Sequence, residues 1–399
     1  MVPLARLQNH PENGASSCSW RGLLDLEHNS PFLREMRTVI VTGGAGFIGS
    51  NFVHSALKQT NWRLIVIDKL TYAGSLLNLH DVEHDPRYSF VHADIGDQAA
   101  MAEALERWHP DIIVNFAAET HVDRSIDGPH NFLAANVMGT FGLLEATRHY
   151  WSKLEPMRRK SFRYLQISTD EVYGSLGDAG FFNEDSRYAP NSPYAASKAS
   201  ADHFVRAYHE TFGLPTLISH CSNNYGFYQF PEKLIPLAIS NAIAGKPLPI
   251  YGDGLNVRDW VFVGDHCDAI LTILERGRAG DQYIVGGRSE RTNLEVVNGV
   301  CAALEELLPA DSNVALAANR YESYRDLIKM VPDRPGHDRR YAVDCSRIER
   351  DLGWTSRISF EMGLGMTVSW YLLNRRWCQA IQQGHYDGER LGLQSAVPR

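Results

Sequence analysis

The sequence predicts an α/β protein of the Rossmann type, a doubly wound parallel sheet carrying a smaller α/β substrate-binding lobe. Three observations predict it. A strand-like run, TVIV, leads directly into the glycine turn TGGAGFIGS and an apolar-periodic helix reaching Leu57. The next strand-like run, RLIVID, ends on the acidic residue Asp68. Short β-branched or apolar runs then recur with helix-length stretches between most of them, the pattern of parallel strands buried on both faces.

Taken in order, residues 1–35 are mixed and polar, include PENGASSCS and hold no sustained helix or strand period. They are expected to form a disordered N-terminal extension. Residues 36–225 are expected to be mainly a dinucleotide-binding domain. Its strands after RLIVID are read at YSFVHADI, DIIVNFAA, FRYLQIST and TLISHCS. Residues 226–385 are expected to be mainly a substrate lobe interleaved with the sheet domain. There FPEKLIPLAISNAIAG reads as helix, DWVFVGDHCDAILTILERG as strand then helix, and LEVVNGVCAALEELL as helix. Residues 386–399 are left as a C-terminal tail, and no internal repeat is visible.

The whole-chain balance narrows the function classes. With 39 Lys plus Arg against 47 Asp plus Glu in 399 residues, the net charge of −8 offers no general field for nucleic acid or anionic membrane, so neither is expected as a partner. The 44% hydrophobic content excludes wholesale disorder. Six cysteines lie far apart with no CxxC pair, so reduced thiols in the cytoplasm and no metal site are expected. No export signal is read, and no apolar stretch approaches the roughly 20 residues that span a bilayer.

Gly43, Gly46 and Gly49 follow the first strand at intervals of three, permitting a tight turn, close approach of a pyrophosphate and close helix packing. Phe47 and Ile48 then open the helix whose N-terminal N–H groups would face the phosphates. Asp68 closes the second strand, where a carboxylate accepts hydrogen bonds from both adenosine ribose hydroxyls and repels a 2′-phosphate. NAD is therefore expected rather than NADP, with Lys69 keeping the second reading open. Asp94 and Ile95 either border the adenine or serve as a capping carboxylate and a packed side chain. Ala117 and Ala118 in NFAAET either let the cofactor pass or simply pack closely.

STDEVYG places Thr169, Asp170 and Glu171 at the end of the FRYLQI strand, the edge from which such sheets present ligand-contacting residues. Tyr194 and Lys198 in SPYAASKAS share one helical face, where an ammonium favours the phenolate that removes a hydroxyl proton. Two adjacent carboxyl groups can divide an acid task from a base task. Their other reading is helix capping or solvated acids.

TGGAGFIGSNFV, DKLTYAGSLLNL, FAAETHVDRSIDGP, ISTDEVYGS, NSPYAASKASADH, CSNNYGFYQFPEKLIPLAI and VPDRPGHDRRYAVD together resemble the nucleoside-diphosphate-sugar 4,6-dehydratases of the extended short-chain dehydrogenase class, in family order over residues 37–370. TDE is the discriminating triplet, because epimerases of similar fold usually carry Ser and small residues there. The resemblance implies dTDP-glucose as substrate, NAD as cofactor and loss of water. In it Tyr194 takes the 4-hydroxyl proton with Thr169 and Lys198 assisting, Glu171 takes the C5 proton, and Asp170 protonates the departing 6-hydroxyl. It also implies diphosphate contacts from Asn223, Arg258, Arg334 and His337, a sugar-side loop containing His121 and Arg124, a homodimer, and a 4-keto-6-deoxy product that feeds rhamnose or other deoxysugar branches.

Each contact has a plainer reading. Arg258 could pair with Asp259 or Asp253, Arg334 with Asp333, and Asp123 with Arg124. Thr120 stands where the family often has Ser, and Phe227 where it often has Pro, which leaves the nucleotide base less determined than the chemistry. The competing readings are an NAD-dependent nucleotide-hexose 4-epimerase and a non-catalytic nucleotide-sugar or NAD-binding scaffold.

Overall fold

The structure, a computed structural model, describes residues 31–382. Most of the expected N-terminal extension and all of the expected C-terminal tail lie outside the described residues. The last residues of that extension are packed: in the helical turn Pro31–Arg34, Leu33 is buried and Phe32 meets Trp62 edge-on.

The strands in chain order are β1 (Thr38–Thr42), β2 (Arg63–Asp68), β3 (Tyr88–His92), β4 (Ile112–Asn115), β5 (Arg163–Thr169), β6 (Thr216–Cys221), β7 (Asn223–Tyr225), β8 (Leu248–Tyr251), β9 (Val257–Phe262), β10 (Gln282–Val285), β11 (Glu290–Thr292) and β12 (Ile328–Val331). Seven of them form one parallel sheet in the order β10-β6-β5-β4-β1-β2-β3. Its register aligns Val39 with Leu64 on one side and with Ile112 on the other. The sheet winds outward from β1 in both directions, so the β1/β4 junction is the switch point where a ligand crevice opens beyond the strand ends.

Burial follows the strand period. Val39, Val41, Leu64 and Val66 face a core built with Phe52, Ile270 and Leu274, from the helices Phe47–Gln59 and Val263–Arg276. Ile40, Ile65 and Ile67 face the opposite core with Met101, Leu143 and Val205, from the helices Gln98–Trp108, Thr140–Ser152 and Pro193–Phe212. Apolar residues on both faces of the strands are what a sheet covered on both sides requires.

The Pro193–Phe212 helix has clear sequence boundaries. Ser192 accepts a hydrogen bond from the Ala195 N–H, Pro193 occupies the first turn, and Gly213 leaves in the left-handed conformation. Such a cap contributes about 1 kcal/mol.

After β7 the chain builds a third core from Tyr225, Ile250, Trp260, Phe262, Val300, Phe360 and Trp370. It holds the helices Leu234–Ile243, Asn293–Leu307 and Phe360–Leu373 and the small sheets β11-β9-β7 and β12-β8. Between these elements β10 returns to the large sheet beside β6. The helix Phe360–Leu373 leads into Arg375–Gln382, where Trp377 meets Tyr228, Trp370 and Tyr371 edge-on and donates a hydrogen bond to Asn78 at 2.9 Å.

Candidate active site

β1 ends at Thr42 and the chain turns through Gly43 at φ +68°, its N–H bonded to Ile67 O at 2.8 Å. A Cβ at Gly43 would lie 2.5 Å from Ala117 N, and one at Gly49 would lie 2.4 Å from Gly43 O. Both positions therefore require glycine for close passage of backbone. Gly46 caps the helix Phe47–Gln59 with no side-chain hydrogen bond, which leaves the first-turn N–H groups to an anion.

A single cavity runs from this turn past Gly46, Phe47 and Ile48 to Asp68, Ala117, Thr169, Tyr194 and Lys198. The donor-rich helix end, the acid at the end of β2 and the small residues at the end of β4 lie along one elongated path. Those residues fit a dinucleotide.

Asp68 is fixed by the N–H groups of Ala45 at 3.0 Å and Leu70 at 2.8 Å, while burial raises its carboxyl above the ordinary range. Lys69 pairs with Asp94 at 3.2 Å, and Asp94 also accepts from Gly96 N. Asp94 thus closes a local turn and pairs with Lys69 while lining the cavity, Asp97 being the residue that caps the following helix, and Ile95 lines the cavity as a packed side chain against Gly139. Ala117 and Ala118 line it as well.

At the far end, Thr169 caps the short helix Asp170–Tyr173 by accepting from Glu171 N. Its hydroxyl also donates to Asp170 Oδ1 at 3.4 Å. Asp170 Oδ2 is buried without a hydrogen-bond partner among the described residues. Burial, joined by the charges of Glu171 and Asp259, pushes Asp170 well above the ordinary carboxyl range. Glu171 is raised by burial too, but Arg334, Arg258 and Lys233 oppose that shift. Burial thus favours the protonated form of both acids, most strongly at Asp170, while Glu171 has three cations acting against that shift.

Tyr194 and Lys198 lie one turn apart and both line the cavity. Burial and the Glu171 charge push the phenol well up, opposed by a Thr169 hydrogen bond. Lys198 Nζ donates to Ile167 O at 2.7 Å, and burial lowers its ammonium. Without a ligand, burial thus favours the neutral phenol of Tyr194. Desolvation outweighs the helical spacing here.

The expected substrate contacts divide into two groups. Asn223 lines the cavity with Thr169. Arg258, Arg334 and His337 stand beyond it on the Glu171 side, the two guanidinium charges acting on that carboxyl. Arg258 donates to the carbonyls of Val257 and Asp338 and lies over the Tyr341 ring. Neither proposed aspartate partner takes it: Asp259 accepts from Gly287 N and Ser289 N, and Asp253 pairs with Arg339. Arg334 pairs with Asp123 at 3.5 Å, and only its backbone N–H reaches Asp333. His337 bonds Asp333 at 2.6 Å and is lowered to about 4 by burial and by Arg334.

His121 and Arg124 are placed outside the cavity lining, unlike their neighbours Glu119 and Thr120. His121 caps the helix Val122–Asp127 and is lowered to about 2 by burial and by Lys233. Arg124 pairs with Glu232 at 3.0 Å and stacks over Tyr72. The sequence reading passed over Glu232 and Lys233, which do line the cavity. Lys233 Nζ bonds Thr120 O at 3.1 Å, and burial lowers its ammonium against the charges of Glu232 and then Glu171. The sequence signal for Glu232 and Lys233 is two opposite charges immediately before an apolar helix.

The GDP-mannose 4,6 dehydratase family model matches residues 40–367. The dTDP-glucose 4,6-dehydratase of Xanthomonas campestris pv. campestris is 53% identical over 357 residues, 90% of this chain and 99% of the relative. That of Neisseria meningitidis serogroup B is 52% identical over 358 residues, with the same two coverages. Among solved structures, the dTDP-glucose 4,6-dehydratase of Bacillus anthracis in complex with NAD superposes with TM-score 0.75 at 43% identity, covering 86% of this chain and 99% of that one. A Thermus thermophilus UDP-glucose 4-epimerase shares the fold with TM-score 0.71 at 27% identity, covering 84% of this chain and 99% of that one. The cavity with its paired acids, the family match and relatives spanning nearly their whole length agree, and the chain belongs to the dTDP-glucose 4,6-dehydratase family of extended short-chain dehydrogenases.

Proposed function

We infer that the protein converts dTDP-glucose to dTDP-4-keto-6-deoxyglucose and water. The observation that carries this reading is the divergent environment of Asp170 and Glu171 beside Tyr194. An epimerase needs only oxidation and reduction at C4, whereas elimination of water needs a further acid and base.

The glycine turn and the first turn of the Phe47–Gln59 helix would hold the pyrophosphate of NAD, Asp68 its adenosine ribose, and Lys198 the nicotinamide ribose. When bound, NAD supplies reversible hydride acceptance, which lets C4 be oxidised and C6 reduced without net redox change. Tyr194 takes the 4-hydroxyl proton, with Thr169 hydrogen-bonding the reacting oxygen. The 4-ketone so formed acidifies the C5 hydrogen. Glu171 removes that proton, and Asp170 gives its own proton to the departing 6-hydroxyl, so the C6–O bond breaks as the C5–C6 double bond forms. Reduction at C6 and a proton at C5 then complete the product. Asn223, Arg258, Arg334 and His337 are assigned to the diphosphate side, with Arg offering the donor fork that suits it.

The test is product mass after incubation of NAD-loaded protein with dTDP-glucose, UDP-glucose and GDP-mannose in parallel. Loss of one water, fastest with dTDP-glucose, is the expected result. An isomer of unchanged mass would instead establish an epimerase. Binding without turnover would support the scaffold reading.

No helix among the described residues is long and apolar enough to cross a membrane. A cytoplasmic enzyme acting as a homodimer completes the proposal. Exposed Leu133, Met138 and Phe204 supply apolar surface for self-association, to be checked by light scattering on the purified chain.

A further inference from the structure

The Pro193–Phe212 helix carries Tyr194, Lys198 and Asp202 at successive intervals of four, so the three share a face. Chemistry uses the first two and leaves the third unexplained. Asp202 is 1% exposed. A buried carboxylate is costly unless it is paired.

Its Oδ2 accepts from Ser168 Oγ at 2.5 Å and from Tyr188 OH at 3.4 Å, and lies 3.3 Å from His220 Nε2. Oδ1 has no hydrogen-bond partner among the described residues. His220 is held in turn by Tyr188 OH at 2.7 Å and Tyr173 OH at 3.3 Å. Ser168 on β5, Asp202 on the helix and His220 on β6 thus form a closed polar cluster, one residue beneath Thr169. Neutral side chains would satisfy these neighbours equally well. A carboxylate with an open oxygen needs another reason.

Lys198 supplies one. It is 4% exposed, and its ammonium donates to the neutral carbonyl of Ile167. Burial favours the uncharged amine, and Asp202 and then Cys221 act against burial. Burial also pushes the Cys221 thiol up to about 12, so it carries no charge near neutrality. Asp202 is left to favour the cation.

We propose that Asp202 is a positioning residue that keeps Lys198 cationic beside Tyr194, and that Ser168, Tyr188 and His220 hold its side chain in place. The consequence for turnover rests on the roles given to Tyr194 and Lys198 above. Other titratable groups around Tyr194, Lys198 and Asp202 are Tyr164 on β5, Asp170, Glu171 and Tyr173 on the short helix, Cys221 on β6, Tyr188 and Glu184 in the preceding loop, and His203 on the same helix. Asp123 and Arg124 of the neighbouring helix Val122–Asp127 pair with Arg334 and Glu232. Glu145 and Arg148 on Thr140–Ser152 pair with each other, and Glu145 also accepts from Tyr208.

The direct test is NMR titration of the Lys198 ε-carbon in the full chain, wild type against Asp202→Asn, with the signal assigned by its loss in Lys198→Arg. The midpoint is expected to fall by about one pH unit in Asp202→Asn. An unchanged or raised midpoint overturns the proposal. Kinetics of the NAD-loaded enzyme supply the second readout. The basic limb of kcat/KM should move down by about one pH unit, with about tenfold loss on that limb and convergence with wild type at low pH, where Lys198 is charged in both. An equal loss at every pH would show a merely structural role. If wild type releases no water from dTDP-glucose, the functional reading fails while the NMR result still decides the Lys198 claim. Should Asp202→Asn not fold, Tyr188→Phe removes one hydrogen bond to the carboxylate and should lower the midpoint by a smaller amount; no change there overturns the proposal equally.

Discussion

Burying the Asp170 carboxyl carries an energetic cost that depends on pH. Burial raises it in the folded protein above its ordinary value of 3.8. As pH rises past that value the unfolded chain ionises first, so stability is lost across the window up to the raised folded value. Asp170→Asn removes the ionisation. Its Tm at pH 7 is expected to exceed that of wild type, with the gap closing as pH falls below 3.8. Calorimetry at both pH values checks this. The same variant cannot give up a carboxyl proton, and its kcat for water loss is expected to fall about 10²- to 10⁴-fold. A parallel loss of Tm and kcat would show that Asp170 is structural.

At the scale of the element, the glycine turn separates two demands that look alike in sequence. Gly43 needs its left-handed φ and closeness to Ala117, whereas a Cβ at Gly46 meets only Gly43 O at 3.3 Å. Gly43→Ala is therefore expected to lose both thermal stability and NAD binding. Gly46→Ala should keep most of its Tm yet bind NAD about tenfold more weakly, because the added methyl enters the cavity beside the helix end. Melting curves and fluorescence titration separate the two. This turn, β1 and β2 were legible because strand period, glycine spacing and terminal acid agree locally. Less of the substrate side was legible. The partners of Arg124 and His121 are not readable from their own segment: Glu232, distant in sequence, takes the guanidinium, and His121 caps a helix. Lys233 escaped notice because only the fold brings it to Glu171. The four-residue β10 carries too short an apolar run to declare itself the seventh strand.

Across the whole molecule, the sheet and the third core are joined by aromatic side chains of the final helices. Trp377 contacts Tyr228, Trp370 and Tyr371 and bonds Asn78, which follows β2. Trp377→Ala is expected to cost about 3 kcal/mol in urea unfolding, and the two units should begin to unfold separately. Tryptophan fluorescence and NAD release, followed together, should then give two midpoints where wild type gives one. Coincident transitions in the variant would show that other contacts couple the units.

The return of β10 to the large sheet also governs how the protein can be made. As the chain leaves the ribosome, β6 is complete long before its outer neighbour exists, because everything from Ser222 to Asp281 must emerge first. Throughout that interval the nascent chain presents a bare strand edge to its surroundings, the sort of template on which other chains add. Synthesis halted near residue 225 would yield a product with its cofactor turn written in full and its sheet open at one side, prone to clump rather than to catalyse.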